Sequence, residues 1–323
     1  MAHRLMLVMV AAAWLMLALG GCGGAPPPPD ETPPTVLFTE PADGARGVLK
    51  DVVLKVHFSE PMDPSCTEDA YGSYDAGLQP GEVTFSWPDA QTLVITPNDP
   101  LAYSDDANDK VYTFTIHKTA CDLAGNPLPA QTVVRFYVLR KLQGTLTSEA
   151  AIDGYVFNTG RVDTAGRDLG AGDGPNGEYA HAFLSFDLSQ LNPDPVEIVT
   201  SQLSLTKELV MGHPSQNLGD LLVEHVYFGP SLSRLGARAL ELAPLTPDPP
   251  CAFTDVSRSL FLCWKAVAVQ DDVDHWLERN GRSQFRLRFA IHTDGNGSED
   301  SVMFYSGDDA SRPPTLEVVY YGP

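Results

Sequence analysis

In the run FRLRFAIH, Arg286 and Arg288 flank a single leucine within a stretch that alternates apolar and polar residues. On an extended strand, side chains two residues apart share a face at about 6–7 Å. A guanidinium fork matches a carboxylate in bidentate fashion. His292 falls on the same face, and His181 takes the equivalent position in HAFLSFD. These four residues are candidates for binding an acidic polymer such as a uronic-acid polysaccharide. The competing reading is that the two arginines pair with the protein's own acids on a solvated sheet. A second candidate is TDGNGSED, where Asp294, Asn296, Ser298 and Asp300 alternate like the oxygen ligands of a calcium loop. Its register does not fit an EF-hand. Glu299 stands where the invariant glycine belongs, and Tyr305 where the bidentate glutamate belongs. A glycine-rich turn between two strands accounts for the run. The sequence places no calcium, although a structural one is compatible with a sandwich, and it implies no other cofactor. Glu60, Met62 and Asp63 read better as structure than as a metal site. Pro61 and Pro64 end a strand, Asp63 caps the following turn, and Met62 fills the sandwich edge.

Catalytic patterns are missing. No G-x-S-x-G elbow, H-E-x-x-H helix, C-x-x-C pair or P-loop occurs. The eight histidines are scattered, and among 42 carboxylates a chance acidic pair means nothing. A glycosidase needs two carboxylates at a set separation beside a cleft. The sequence therefore reads as a non-enzyme. A formal net charge of −21 argues against nucleic acid as a partner.

The five cysteines divide by position. Arg4, the apolar run Leu5 to Leu19, and Gly20 and Gly21 before Cys22 have the order of a secretory signal. The run is shorter than the about 20 residues a membrane span needs. Leu19-Gly20-Gly21-Cys22 resembles the bacterial lipobox. That resemblance implies a signal peptide at 1–21, lipidation of Cys22 and a membrane partner reached through the lipid anchor. Each buried lipid methylene contributes about 0.8 kcal/mol. Gly23, in place of an aspartate, is compatible with passage to the outer membrane or cell surface. Residues 22–34 form a Pro-rich tether, with Pro26 to Pro29 favouring extended polyproline. Cys66, Cys121, Cys251 and Cys263 then enter an oxidising compartment. Three pairings are possible. One disulfide in each half is the simplest, and free buried thiols are the alternative.

The elements that position these residues are strands. Leu54, Val56 and Phe58 share a face, as do Val83, Phe85 and Trp87, then Tyr112, Phe114 and Ile116, then Val134, Phe136 and Val138. Period-two alternation marks strands with one buried face, and clusters such as Pro41-Ala42-Asp43-Gly44 separate them. No amphipathic helix is evident in this half. The runs EPADGARGV, VHFSEPMDPS, LVITPNDPLA, VYTFTI and DLAGNPL resemble the bacterial Ig-like domain of the SbsA type. The resemblance covers 35–139 and implies an Ig-like β-sandwich that spaces and presents other domains. YSDDANDK, from Tyr103 to Lys110, predicts a loop longer and more acidic than usual there.

Arg140 to Gly144 reads as a short joint. Beyond it, Ala182, Leu184, Phe186 and Leu188 alternate, as do Phe285, Leu287, Phe289 and Ile291. VAVQDDVDHWLERNG predicts one short helix with Val269, Val273, Trp276 and Leu277 on its apolar stripe. Asp271 and Asp272 suit its start and Gly281 its stop. Trp276 is read as core, not as a sugar platform. DGYVFNTG, HAFLSFDLSQL, VDHWLERNG and FYSGDDASRPPTLEVVY resemble the DNRLRE-type module, a jelly-roll β-sandwich classed among carbohydrate-binding modules. The resemblance covers 145–323. The segment Gly229 to Leu262, closed by Cys251 and Cys263, departs from it. The expectation is thus an all-β protein, an Ig-like sandwich followed by a jelly roll with one short helix. It would be a non-enzymatic surface lipoprotein that presents a polysaccharide-binding module. The alternative is a purely structural or adhesive surface protein with a protein partner.

Overall fold

A computed structural model describes residues 29–245 and 249–323. The signal peptide at 1–21, Cys22 and most of the tether lie outside the described residues.

The first body contains β1 (Val36–Glu40), β2 (Ala45–Val48), β3 (Leu54–Phe58), β4 (Tyr71–Gly72), β5 (Val83–Asp89), β6 (Thr92–Pro97), β7 (Val111–Ile116) and β8 (Thr132–Val138). They make two four-stranded sheets, ordered β1-β3-β6-β5 and β2-β8-β7-β4. The apolar faces read from the sequence meet between them. Leu54, Val56, Phe58, Tyr112, Phe114, Ile116, Val134, Phe136 and Val138 are all buried in one cluster, with Phe85 and Trp87 packed at its margin. The sequence shows no helix here, yet α1 (Pro64–Asp69) forms. Six residues are too few to display a helical period. Its signals are local instead: Pro64 opens it, and the Asp63 carboxylate accepts from the Cys66 amide at 3.0 Å. Met62 is buried in the core. A disulfide joins Cys66 of α1 to Cys121. Residues 99–110, which include the acidic run, form an irregular connection between β6 and β7.

Arg140 to Gly144 is not a joint. It is the first half of β9 (Arg140–Thr147), which pairs antiparallel along its whole length with β20 (Thr315–Gly322). No turn residue interrupts the extended backbone after β8, so the second body begins directly. The two bodies touch through Lys50 and Glu197 at 2.9 Å, the tilted rings of Tyr103 and Tyr321 at 4.8 Å, and the Arg140 guanidinium of β9 donating to the Ala107 carbonyl at 3.4 Å.

The second body adds β10 (Gly154–Phe157), β11 (Val162–Asp163), β12 (Asp168–Asp173), β13 (Tyr179–Asp187), β14 (Glu197–Met211), β15 (Leu221–His225), β16 (Cys251–Phe253), β17 (Leu260–Trp264), β18 (Arg282–Phe289) and β19 (Asp300–Tyr305). Together with β9 and β20 these form one twelve-stranded sheet that curls over itself. The fifteen-residue β14 makes the fold-over possible. Its first part pairs with β17 and β20, and from Lys207 onward it pairs with β19, with a register shift between Lys207 and Leu209. A bulge of this kind bends a strand from one leaf into the other. Leu203, Leu205, Phe261, Leu316 and Val318 then meet Leu184, Phe186, Phe285, Leu287, Val302 and Phe304 in one core. The two edge strands β16 and β17 are stapled by Cys251–Cys263.

Short helices α2 (Pro214–Asn217) and α3 (Leu232–Leu235) sit in connections. The expected single helix is two, α4 (Ala266–Asp274) and α5 (Trp276–Arg279), broken at His275. Trp276 packs against the core as expected. Leu277 does not: it is 89 % exposed. Asp271 and Asp272 lie within α4 rather than at its start, because Asp272 turns inward to His225 and Arg279 at 2.9 and 3.0 Å. Asn280 and Gly281, both at positive φ, stop the helix where the sequence places the stop.

Candidate functional site

The face expected to carry an open basic site is covered. Val226, Phe228, Leu232 and Ala239 lie over it and make a second, small core with Ile152, Val156 and Phe183. Much of this cover is the segment that departs from the resembled module. Gln284 anchors it, its side-chain oxygen accepting from the Phe228 and Gly229 amides at 2.8 and 3.0 Å. Beneath, Arg286 is buried and donates to Glu224 Oε2 at 2.8 and 2.6 Å. Arg288 donates to both oxygens of the same carboxylate at 3.0 and 2.6 Å. Glu224 stands opposite Arg286 in the β15–β18 register. Burial alone would raise its carboxyl, but the two guanidiniums hold it below the usual carboxylate range.

The two histidines do join the arginines in space. His181 Nε2 and His292 Nδ1 lie 3.0 Å apart, and Tyr179 stacks on His292 with centroids 4.9 Å apart. Burial, with the arginine charges beside it, pushes the His181 imidazole down to about 2. It is neutral at any physiological pH. The structure thus brings Arg286, Arg288, His181 and His292 together, but as an internally paired cluster and not as an exposed polyanion-binding face. The solvated sheet of the competing reading is corrected too, since the arginine–acid pairs form under cover.

Beside this cluster, residues of β10, β12, β13 and β19 line a groove of about 260 Å³. Tyr155 and Phe157 reach it from alternate positions of β10, their rings edge to face at 5.2 Å, and Tyr179 joins them from β13. Gly170 and Gly172 supply a floor without side chains, while Leu169 and Ala171, which alternate with them, are buried in the main core. The pattern follows directly from period two: one face of β12 packs the sandwich, and the other leaves room. A Cβ on Gly170 would stand 3.1 Å from Met303 Sδ and 3.7 Å from the Tyr155 ring. Arg161 lies over the Phe157 ring at 3.5 Å, with Glu178 4.0 Å from its guanidinium. The Tyr155 hydroxyl donates to Asp163 at 3.3 Å. Asp173, also lining the groove, is buried; its Oδ2 accepts from the Asp294 amide, and its Oδ1 has no partner among the described residues.

TDGNGSED folds as consecutive Asx turns. The Asn296 amide donates to Asp294 at 2.9 Å, and the Ser298 amide to Asn296 at 2.6 Å. Asp300 faces elsewhere, accepting from the His213 amide and the Asn217 side chain. Burial works against its charge, but these donors hold its carboxyl below the usual range. Two other groups have metal-like composition, His225 with Asp271 and Asp272, and Asp30 with Glu60 and Asp122. In the first, Arg279 already occupies both aspartates at 3.0 and 3.1 Å. In the second, Asp122 is spent on the Ala124 and Asn126 amides of its own turn. All four described cysteines are in disulfides, so no described residue offers a thiol nucleophile.

The groove was not found from the sequence. Its signal is the pair of aromatics two apart in DGYVFNTG and the pair of glycines two apart in DLGAGDG. Neither pair says alone that it faces the other.

Residues 30–138 match the bacterial Ig-like domain family. No curated protein matches the chain. Among solved structures, the L,D-transpeptidase from Mycobacterium smegmatis aligns at 17 % identity over 69 % of this chain and 73 % of that one, with a TM-score of 0.25. The N-terminal part of the bacterial S-layer protein SbsC aligns at 14 % identity over 47 % and 40 %, TM-score 0.23. SGBP-B from a complex xyloglucan utilization locus in Bacteroides uniformis aligns at 9 % identity over 88 % and 72 %, TM-score 0.24. Likeness at this level assigns no activity to the second body. Residues 30–138 are therefore a bacterial Ig-like domain, carried in one all-β chain with a larger curled sheet.

Proposed function

We propose that this chain is a non-enzymatic, exported surface protein whose Ig-like domain spaces a polysaccharide-binding body. Cys22 anchors it by lipid at the outer membrane or cell surface, and the groove at Tyr155, Phe157 and Tyr179 takes the glycan. The observation that carries the reading is that groove: three half-buried rings around a glycine floor, with a few polar groups at the rim. Small-ligand sites combine aromatic walls with sparse polar groups in this way, and a flat ring offers a large apolar contact to the hydrogen-bearing face of a sugar. Two disulfides fit an oxidising destination. The test is a glycan array probed with the full chain. Binding should fall at least tenfold in Phe157→Ala and in Tyr179→Ala. Undiminished binding in both variants rejects the groove.

One observation favours the adhesive alternative. Leu260, Leu262 and Trp264 alternate along the edge strand β17 and are 49, 44 and 64 % exposed. A row of this kind on a sheet edge suits a protein partner. Silence on the array, with capture of one specific protein abolished by Trp264→Ser, would establish that reading instead.

A further inference from the structure

We infer that the groove selects uncharged glycans and rejects polyuronates. The inference rests on the proposed function and narrows it to a substrate class. Among the described residues, the charged groups lining the groove are one cation and three carboxylates, Arg161 against Asp173, Glu178 and Glu299. Arg161 is already laid on the Phe157 ring and faces Glu178, so its charge is offset where it stands. Asp173 lies at the floor, 4 % exposed, and among the described residues one of its oxygens has no donor and no cation pairs with it. A ligand in this groove therefore meets a negative field from below and from the rim.

Low-dielectric walls strengthen such a field, and salt screens it poorly at close range. The groups that could have read a sugar carboxylate are elsewhere and spent. Arg286 and Arg288 share Glu224, and His181 is buried beside them. Excluding a wrong ligand by unpaired like charge is a recognised route to specificity. What the groove offers is ring faces and acceptor oxygens, which suit a chain of hydroxyl donors without charge.

The experiment uses the full chain on immobilised cellohexaose, mannohexaose and xylohexaose, against polygalacturonate and alginate, in 50 and 300 mM NaCl. The expected result is binding to at least one uncharged probe, sensitive to Tyr179→Ala, with both polyuronates at least tenfold weaker at 50 mM. The paired variant Glu178→Lys with Glu299→Lys, changed at the solvent-accessible rim, should raise polygalacturonate binding at least fivefold. Tight polyuronate binding that Tyr179→Ala abolishes would overturn the uncharged class while keeping the groove. Failure of the lysine pair to raise polyuronate binding would overturn the electrostatic argument. Binding of no probe would overturn the proposed function itself.

Discussion

The two bodies bury different things. In the Ig-like domain the buried polar residues are few, and Asp122, held in its own turn, is the one charged member. The curled sheet buries Glu224 with Arg286, Asp272 with Arg279 and His225, and also Asp153, Asp173, Asp300, Asp309 and Lys265. The first body is held by apolar faces that close on each other. The second has the same kind of core between its leaves, but it carries a second layer on its outside, where cover segments are fixed by ions and amide donors. Apolar burial is non-directional and tolerant. A buried ion pair is intolerant, because losing one partner strands the other.

The largest expected effect tests that contrast. Glu224→Ala leaves two guanidiniums without their acid, one of them fully buried. It should cost the second body about 3–5 kcal/mol. Calorimetry should show its transition falling while that of the Ig-like domain stays in place. If both transitions moved together, the bodies would be one cooperative unit and the contrast would fail.

Disulfide removal comes next. Cys66–Cys121 spans 55 residues and Cys251–Cys263 spans 12. Chain entropy puts their contributions at about 4 and about 3 kcal/mol respectively. Paired serine variants followed by urea unfolding would compare them. A much larger loss at Cys251 and Cys263 would mean that stapling the sheet edges matters beyond loop length.

The smallest effect is a pH slope confined to the second body. His181 has its pKa depressed to about 2, so the unfolded chain takes up a proton near pH 6.5 that the folded chain refuses. Its contribution is present above that pH and is lost on acidification, by about 1.4 kcal/mol per unit below about pH 6. The stability gap between the wild type and His181→Gln should therefore shift with pH at this slope between pH 6 and 5. A constant gap would show that the imidazole is accessible to protons. Asp153 acts in the opposite sense, since burial raises its carboxyl to about 7 and favours the folded state as pH falls, which is why the comparison uses paired variants and not the wild type alone.

Legibility followed the same divide. Leu54, Val56 and Phe58, or Tyr112, Phe114 and Ile116, announce their buried face through period two, and the core they build is the one observed. Alternation also marks His181, Phe183, Arg286 and Arg288 as sharing the other face. It does not say that a segment more than forty residues before Arg286 will roof that face, or that Glu224 will stand opposite. Those facts depend on strand order, which no local pattern encodes. Leu277 failed for a related reason: helical spacing presumes an unbroken helix, and the break at His275 turned it to solvent. The joint at Arg140 failed because a change of body need not interrupt the extended backbone. The groove needed β10, β12 and β19 to be neighbours before its glycines and rings meant anything.

The pairing of β9 with β20 joins residues 140–147 to residues 315–322. During synthesis, β9 leaves the ribosome long before its neighbour exists. The Ig-like domain has by then all its strands and can fold. The curled sheet must instead keep Leu142 and Leu146 unpartnered on that side while the intervening chain is made. A translation arrest between residues 147 and 315 would leave a complete spacer attached to an open sheet edge.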